Sequence, residues 1–249
     1  MRIDWAARLP GRRGVDQAPA DPDELPRQRR GTTPQMHGRY PDFDVLENAS
    51  HWDETTRKTV LDRVENVPPI RFFSAREAAT ADALCDVLTA QDREPRIPVM
   101  RYVDEKLYEA SLDGYQYYDM PDDRDAWRLV IRGLDEQASA RGGVETFAAA
   151  SDDLRHEIVT DFADAKLHGG AWNELNVKHA FSLIMRAVVQ SYYGHPWAWN
   201  EIGWGGPAYP RGYSRFGSPH LQAAEREPWE GKEAYDRDVV RDELEEPPS

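Results

Sequence analysis

Asp122-Asp123-Arg124-Asp125-Ala126-Trp127-Arg128-Leu129-Val130-Ile131-Arg132-Gly133-Leu134-Asp135-Glu136-Gln137-Ala138-Ser139-Ala140-Arg141-Gly142-Gly143 is the stretch that decides the class of fold. Trp127, Val130, Ile131, Leu134 and Ala138 fall at i, i+3, i+4, i+7 and i+11, the stripe of a helix with one buried face. The acids Asp122, Asp123 and Asp125 stand where the positive end of a helix dipole favours them. Gly142-Gly143 supplies the stop.

The same spacing recurs on both sides. Upstream, Asp53 and Glu54 open a helix with Trp52, Val60, Leu61 and Val64 in step, and Pro68-Pro69 ends it. Ser74-Ala-Arg-Glu77 is a capping box with Phe73 as its staple residue, followed by the stripe Ala81, Leu84, Cys85 and Leu88. Pro98 fits the first turn of a helix carrying Val99, Tyr102, Val103 and Leu107. Downstream, Ser151 caps a helix with Leu154, Ile158, Phe162 and either Lys166 or Leu167 inward. After His168-Gly169-Gly170 a last helix is predicted from about Asn173 to Tyr192, with Leu175, Phe181, Ile184 and Val188 on its apolar face and Gly194 as C-cap. No segment alternates with turn signals as strands do. The reading is an all-α fold, a small helical bundle.

The stretch Tyr192–Gly217 breaks the pattern. Aromatics arrive every few residues among Gly203, Gly205, Gly206, Pro196, Pro207 and Pro210, and neither helical nor strand periodicity fits. It reads as an aromatic Gly/Pro-rich closing loop. Tyr192, Tyr193, His195, Pro196 and Trp197 are expected to anchor it to the helices. Trp204, Gly205, Gly206, Tyr209, Arg211 and Tyr213 lie further out and are expected to reach a partner chain, Trp, Tyr and Arg being the residues that dominate interface energetics.

The organisation is therefore an extended N-terminal arm (1–49), a helical domain with its closing loop (50–217) and an acidic C-terminal tail (218–249). Both arms are short of apolar residues and are expected to be mobile in the free chain and to extend over a partner. A net charge of −14 and a pI near 5.0 exclude a nucleic-acid backbone as the main partner. The single cysteine, Cys85, rules out an internal disulfide or a Cys-rich metal site. No run approaches the roughly 20 apolar residues that cross a bilayer. Neither arginine pair, Arg12-Arg13 or Arg29-Arg30, precedes an apolar stretch, so a cytoplasmic location is expected unless a partner exports the chain.

The sequence offers no convincing catalytic constellation of its own. Asp153-x-x-His156 has the spacing of a carboxylate-bridged metal site, but its counterpart, Asn176-x-x-His179, has Asn where the acid should be. His168-Gly-Gly has no Gly-x-Ser-x-Gly elbow to serve, and no dinucleotide or covalent-haem fingerprint is present. Asn48-Ala-Ser50 matches a glycosylation sequon without a secretory signal beside it. No catalytic, cofactor-binding or metal-ligating residue is assigned.

Phe72-Phe73-Ser74-Ala-Arg-Glu77, then Pro98-Val-Met-Arg-Tyr-Val103-Asp, then Phe147 before the Leu154 helix, and finally Tyr192-Tyr193-Gly194-His195-Pro196 with Gly203-Trp-Gly-Gly206-Pro207 form an ordered set. This order resembles the gluconate 2-dehydrogenase subunit 3 family over roughly residues 70–217. His37-Gly-Arg-Tyr-Pro-Asp and His51-Trp-Asp resemble an extension found in some members. The resemblance implies an all-helical, cofactor-free small subunit that pairs with a large flavoprotein of the glucose–methanol–choline type. That partner holds FAD and takes a hydride from a sugar or related alcohol, and in some complexes a cytochrome subunit accepts the electrons. Small subunits of this family are associated with maturation, stability and often export of the large one. Two other classes stay open on the residues alone: a stand-alone helical enzyme using His and acid side chains, and a general scaffold or chaperone.

Overall fold

The computed structural model describes residues 45–91, 96–111, 114–202 and 204–207. These residues form α-helices and short 3-10 turns and no strand, in agreement with the all-α reading. The α-helices are α1 (Glu54–Glu65), α2 (Ala75–Thr89), α3 (Val99–Tyr108), α4 (Asp123–Gly142), α5 (Asp152–Ala163), α6 (Val177–Tyr193) and α7 (Pro196–Ile202). The expectations for residues 1–40, for the tail beyond Gly217, and for Tyr209, Arg211 and Tyr213 fall outside the described residues.

Local signals place most helix starts. Asp53 accepts the Thr56 amide at the head of α1, and Asp122 accepts the Arg124 amide before α4. The capping box at α2 is complete: Ser74 Oγ accepts the Glu77 amide at 3.3 Å, and Glu77 accepts the Ser74 amide at 2.8 Å. Ser151 caps α5 with its side chain alone, Oγ accepting the Leu154 amide at 3.4 Å. Gly143, at φ +64°, ends α4 in the left-handed conformation that a side chain would disfavour.

Three expectations are corrected and one open alternative is settled. The last long helix starts at Val177, with Asn176 as N-cap, because Gly170–Glu174 is a separate 3-10 turn that carries Trp172 into the core. Of Lys166 and Leu167, only Leu167 is buried. The stretch read as wholly irregular contains α7, which Pro196 opens. Proline suits a first helical turn, where its missing N–H costs no hydrogen bond. At seven residues α7 is too short to display a helical period in sequence. Residues 45–49, assigned to the arm, belong to a 3-10 helix, Val45–His51.

The chain divides into two compact units. Among the described residues the first holds 67–91, 98–111 and 114–194, and the second holds 45–66, 96–97, 195–202 and 204–207. In the first, α4 is the central element, packed against α2, α5, α6 and the 3-10 turns Phe147–Ala149 and Gly170–Glu174. Its core includes the fully buried Leu84, Val103, Trp127, Leu134, Phe147 and Phe162. In the second, the Val45–His51 turn and α1 pack against α7.

One close approach fixes the Gly170–Glu174 turn on α4. The Trp172 indole N–H donates to the Gly133 carbonyl at 3.2 Å, and a Cβ at Gly133 would lie 2.5 Å from the ring. Mid-helix glycine costs about 1 kcal/mol against alanine, so its presence here follows from the ring above it. Two effects compete in Gly133→Ala: a helix-propensity gain of about 1 kcal/mol and an overpacking cost of about 1–3 kcal/mol. The clash is with a buried, hydrogen-bonded ring, so overpacking wins. Urea unfolding is expected to show a net loss of stability, while Ser139→Ala on the exposed face of α4 is neutral or stabilising. A more stable Gly133→Ala protein would overturn this account.

Candidate functional site

The closing stretch builds its site from the second unit. Val45, Trp52, Val60 and Trp199 form a buried apolar cluster, with Leu46, Ala49 and Trp204 packed against it. Trp204 meets Trp199 edge-on at 4.6 Å between centroids, and the Arg63 guanidinium lies 5.9 Å from the Trp199 ring. Two asparagines tie the cluster's backbones together. The fully buried Asn200 accepts the Val45 amide at 2.8 Å, and Asn48 donates to the Gly205 carbonyl at 3.3 Å. Gly206 has φ +83°, and a Cβ there would come within 2.8 Å of Val45 and 3.1 Å of Trp52. Glycine is required at that point for both reasons.

The expected anchors divide. Tyr192 is buried at the end of α6, whereas its neighbour Tyr193 is 43% exposed and meets it edge-on at 5.1 Å. His195 and Pro196 are buried in the second unit, and Trp197 is half-buried with its ring 5.1 Å from the imidazole. Of the outer residues, Trp204 and Gly205 are half-buried and Gly206 is buried. Missed at sequence level was the identity of what the loop packs on: Val45 and Trp52, which precede α1. The available signal was Val45-Leu46 at the end of the polar arm, with Trp52 just before α1.

Three further histidines among the described residues, His156, His168 and His179, are engaged in hydrogen bonds. His179 Nδ1 lies 2.7 Å from Asp119 Oδ1, Asn176 donates to the second Asp119 oxygen at 2.6 Å, and Tyr117 stacks on the imidazole at 4.1 Å. Partial burial pushes the Asp119 carboxyl up, but the bonds from His179 and Asn176 outweigh it and hold the group below its usual range. His156 and His168 each bond a nearby backbone carbonyl. Among the described residues no group of three or more His, Cys, Asp or Glu side chains converges as a metal ion would need. Burial pushes the Cys85 thiol well above its usual value, so it is no ready nucleophile. A groove of about 480 Å³ along α4 contains Arg76, Arg128 and Arg132, each already paired with an acid, Asp135, Glu77 and Glu174 respectively.

Among the described residues of the loop, His195 is strongly perturbed. Burial drives its pKa down to about 4; its bond to the Arg63 backbone opposes the shift and the Arg63 charge adds to it. Nδ1 accepts the Trp197 amide at 3.2 Å, which fits a neutral ring whose other nitrogen carries the proton. The folded chain thus protonates His195 only near pH 4, against 6.5 for the ordinary side chain. Between those values the unfolded chain binds more protons, so stability rises with pH across the window and is lost as pH falls through it. The full cost is about 3 kcal/mol. His195→Gln is expected to flatten the pH dependence of urea unfolding in that window. Asp53 and Asp119, whose values are lowered, lose their contribution only as pH falls below the ordinary carboxylate value of 3.8. An unchanged slope in His195→Gln would overturn the assignment.

A family model described as gluconate 2-dehydrogenase subunit 3 matches residues 75–206, more than half of the chain. The matched region runs from the first residue of α2 to Gly206 in the tryptophan cluster. No curated protein and no solved structure matches the chain. The chain belongs to the gluconate 2-dehydrogenase subunit 3 family, a family of accessory subunits of dehydrogenase complexes.

Proposed function

We propose that this chain is the non-catalytic small subunit of an FAD-dependent dehydrogenase acting on a sugar or related alcohol, and that it binds and stabilises a large flavoprotein of the glucose–methanol–choline type. The observation that carries the reading is the family match over residues 75–206. In this reading FAD and the hydride transfer belong to the large subunit, and a cytochrome is the electron acceptor in some assemblies. The use made of the polar groups supports it. Asp104 is spent on backbone amides, Asp135 on Thr80, Arg76 and the Phe147 amide, and His195 on the Trp197 amide. The exposed parts of Trp204 and Gly205, with Tyr209, Arg211 and Tyr213, are the loop's share of the contact with the flavoprotein, and Gly206 is buried behind them.

Affinity purification of the full chain from its native cells is expected to recover a larger subunit with flavin absorbance and sugar- or alcohol-dependent dye reduction. The chain purified alone is expected to be colourless and inactive, and the large subunit expressed alone to be less soluble. Stoichiometric flavin, or turnover, in the isolated chain would overturn the reading, as would the lack of any flavin-bearing partner.

A further inference from the structure

Helix α6, VKHAFSLIMRAVVQSYY, holds Lys178, His179 and Arg186 but no acidic residue, in a chain with 45 acids. Every other α-helix among the described residues carries at least one acid. On an amphipathic helix this depletion concerns the surface, because the buried face excludes charge in any case. Residues 179, 182, 186, 189 or 190, and 193 follow one another at helical spacing along a single face. The row from 179 to 193 is about 21 Å long at 1.5 Å per residue.

That face carries a supported row of rings. Tyr117 stacks on His179 at 4.1 Å with only 7° between the planes, and Tyr115 meets Tyr117 edge-on at 5.2 Å. The Arg186 guanidinium lies 5.6 Å from the Tyr115 ring. Beyond it the same face exposes Val189 (39%) and Tyr193 (43%), while Tyr115 (55%) and Tyr118 (97%) stand out from the segment leading to α4. Asp119 fastens that segment to His179 and Asn176, and Gln116 donates to the Met120 carbonyl at 3.1 Å. Single exposed apolar residues call for no explanation, but a continuous row of tyrosines, a valine and an arginine has the make-up of an interface centre. Rings already held by stacking and hydrogen bonds lose little freedom on binding.

We infer that this face of α6, with Tyr115 and Tyr118, is the docking surface for the large subunit; the inference rests on the small-subunit reading above. Charge selects the occupant. Lys178, Arg186 and Lys106, which bonds Gln190 at 3.1 Å, offset the nearby Asp119 and Asp123, so the face escapes the −14 charge of the whole chain. A neutral or acidic protein surface fits it, its carboxylates meeting the cations at the rim. A second copy of this chain fits less well, since it brings together two chains of −14.

The experiment uses the full chain and the flavoprotein that co-purifies with it. Val189→Asp and Arg186→Glu are each expected to weaken the complex about thirtyfold or more, the size of an interface hot spot, with the free chain's melting temperature nearly unchanged. Lys58→Glu on α1 is the control and should leave affinity within about threefold of the parent. Should an α6 variant fail to fold, a photo-crosslinking residue at Tyr118 is expected to join the parent chain to the flavoprotein, and one at Lys58 is not. A complex that forms with unchanged affinity in both variants, or with no crosslink from position 118, overturns the docking face and leaves the small-subunit reading standing. Recovery of no flavoprotein overturns both. Loss of a homodimer of the free chain in Val189→Asp, seen by light scattering, assigns the face to a second copy and overturns the inference.

Discussion

A buried carboxylate organises the first unit. Asp104 on α3 is fully buried and receives the amides of Arg71 at 2.7 Å, Phe72 at 3.0 Å and Phe73 at 2.8 Å. These residues follow Pro68-Pro69 and precede α2, so they have no helical partners of their own. An unpaired buried amide costs about 1–3 kcal/mol, and an unpaired buried charge costs more. The two deficits cancel only in this one arrangement. Once the segment is held, Phe73 lies 5.9 Å from Trp127 of α4, Arg128 covers Phe72 at 4.4 Å, and Ser74 is in place to start α2.

Asp135 repeats the device on α4. Its carboxylate accepts Thr80 Oγ1 at 2.7 Å and the Phe147 amide at 2.9 Å, and pairs with Arg76 at 3.3 Å. Apolar stripes alone tolerate sliding and rotation of one helix on another. A satisfied buried carboxylate does not, because a small shift strands either the acid or its donors. These acids therefore contribute register more than net stability. Among the described residues, both carboxylates are engaged in holding chain segments together.

The second unit solves a related problem with aromatic rings. The Val45–His51 turn and α1 hold few apolar residues between them, and α7 is short. Trp52, Trp199 and Trp204 supply the missing contact area, and Asn200 and Asn48 satisfy the irregular backbone that such a cluster creates. His195 belongs to this arrangement as a neutral hydrogen-bonding core residue. In sequence it reads as an anchor of the closing stretch, and its bond to the Trp197 amide lies within that stretch.

The helices of the first unit were legible in sequence because their causes are local. The capping box at Ser74–Glu77, the stripe Trp127–Ala138 and the stop at Gly143 act through bonds and spacings within a few residues. What tertiary structure alone decided has long-range causes. Asp104 and Asp135 interrupt apolar faces at positions where a sequence reader expects Leu or Ala, and their donors lie 31 and 55 residues away at Phe73 and Thr80. Gly133 looks like a weak point in a strong helix until Trp172, 39 residues on, lies across it. The aromatic closing stretch was conspicuous, but its partners Val45 and Trp52 were not, since nothing in its own spacing names what it buries against. Local propensity and capping set where helices begin and end; which buried acid meets which amide, and which ring covers which glycine, depends on the fold bringing distant residues together.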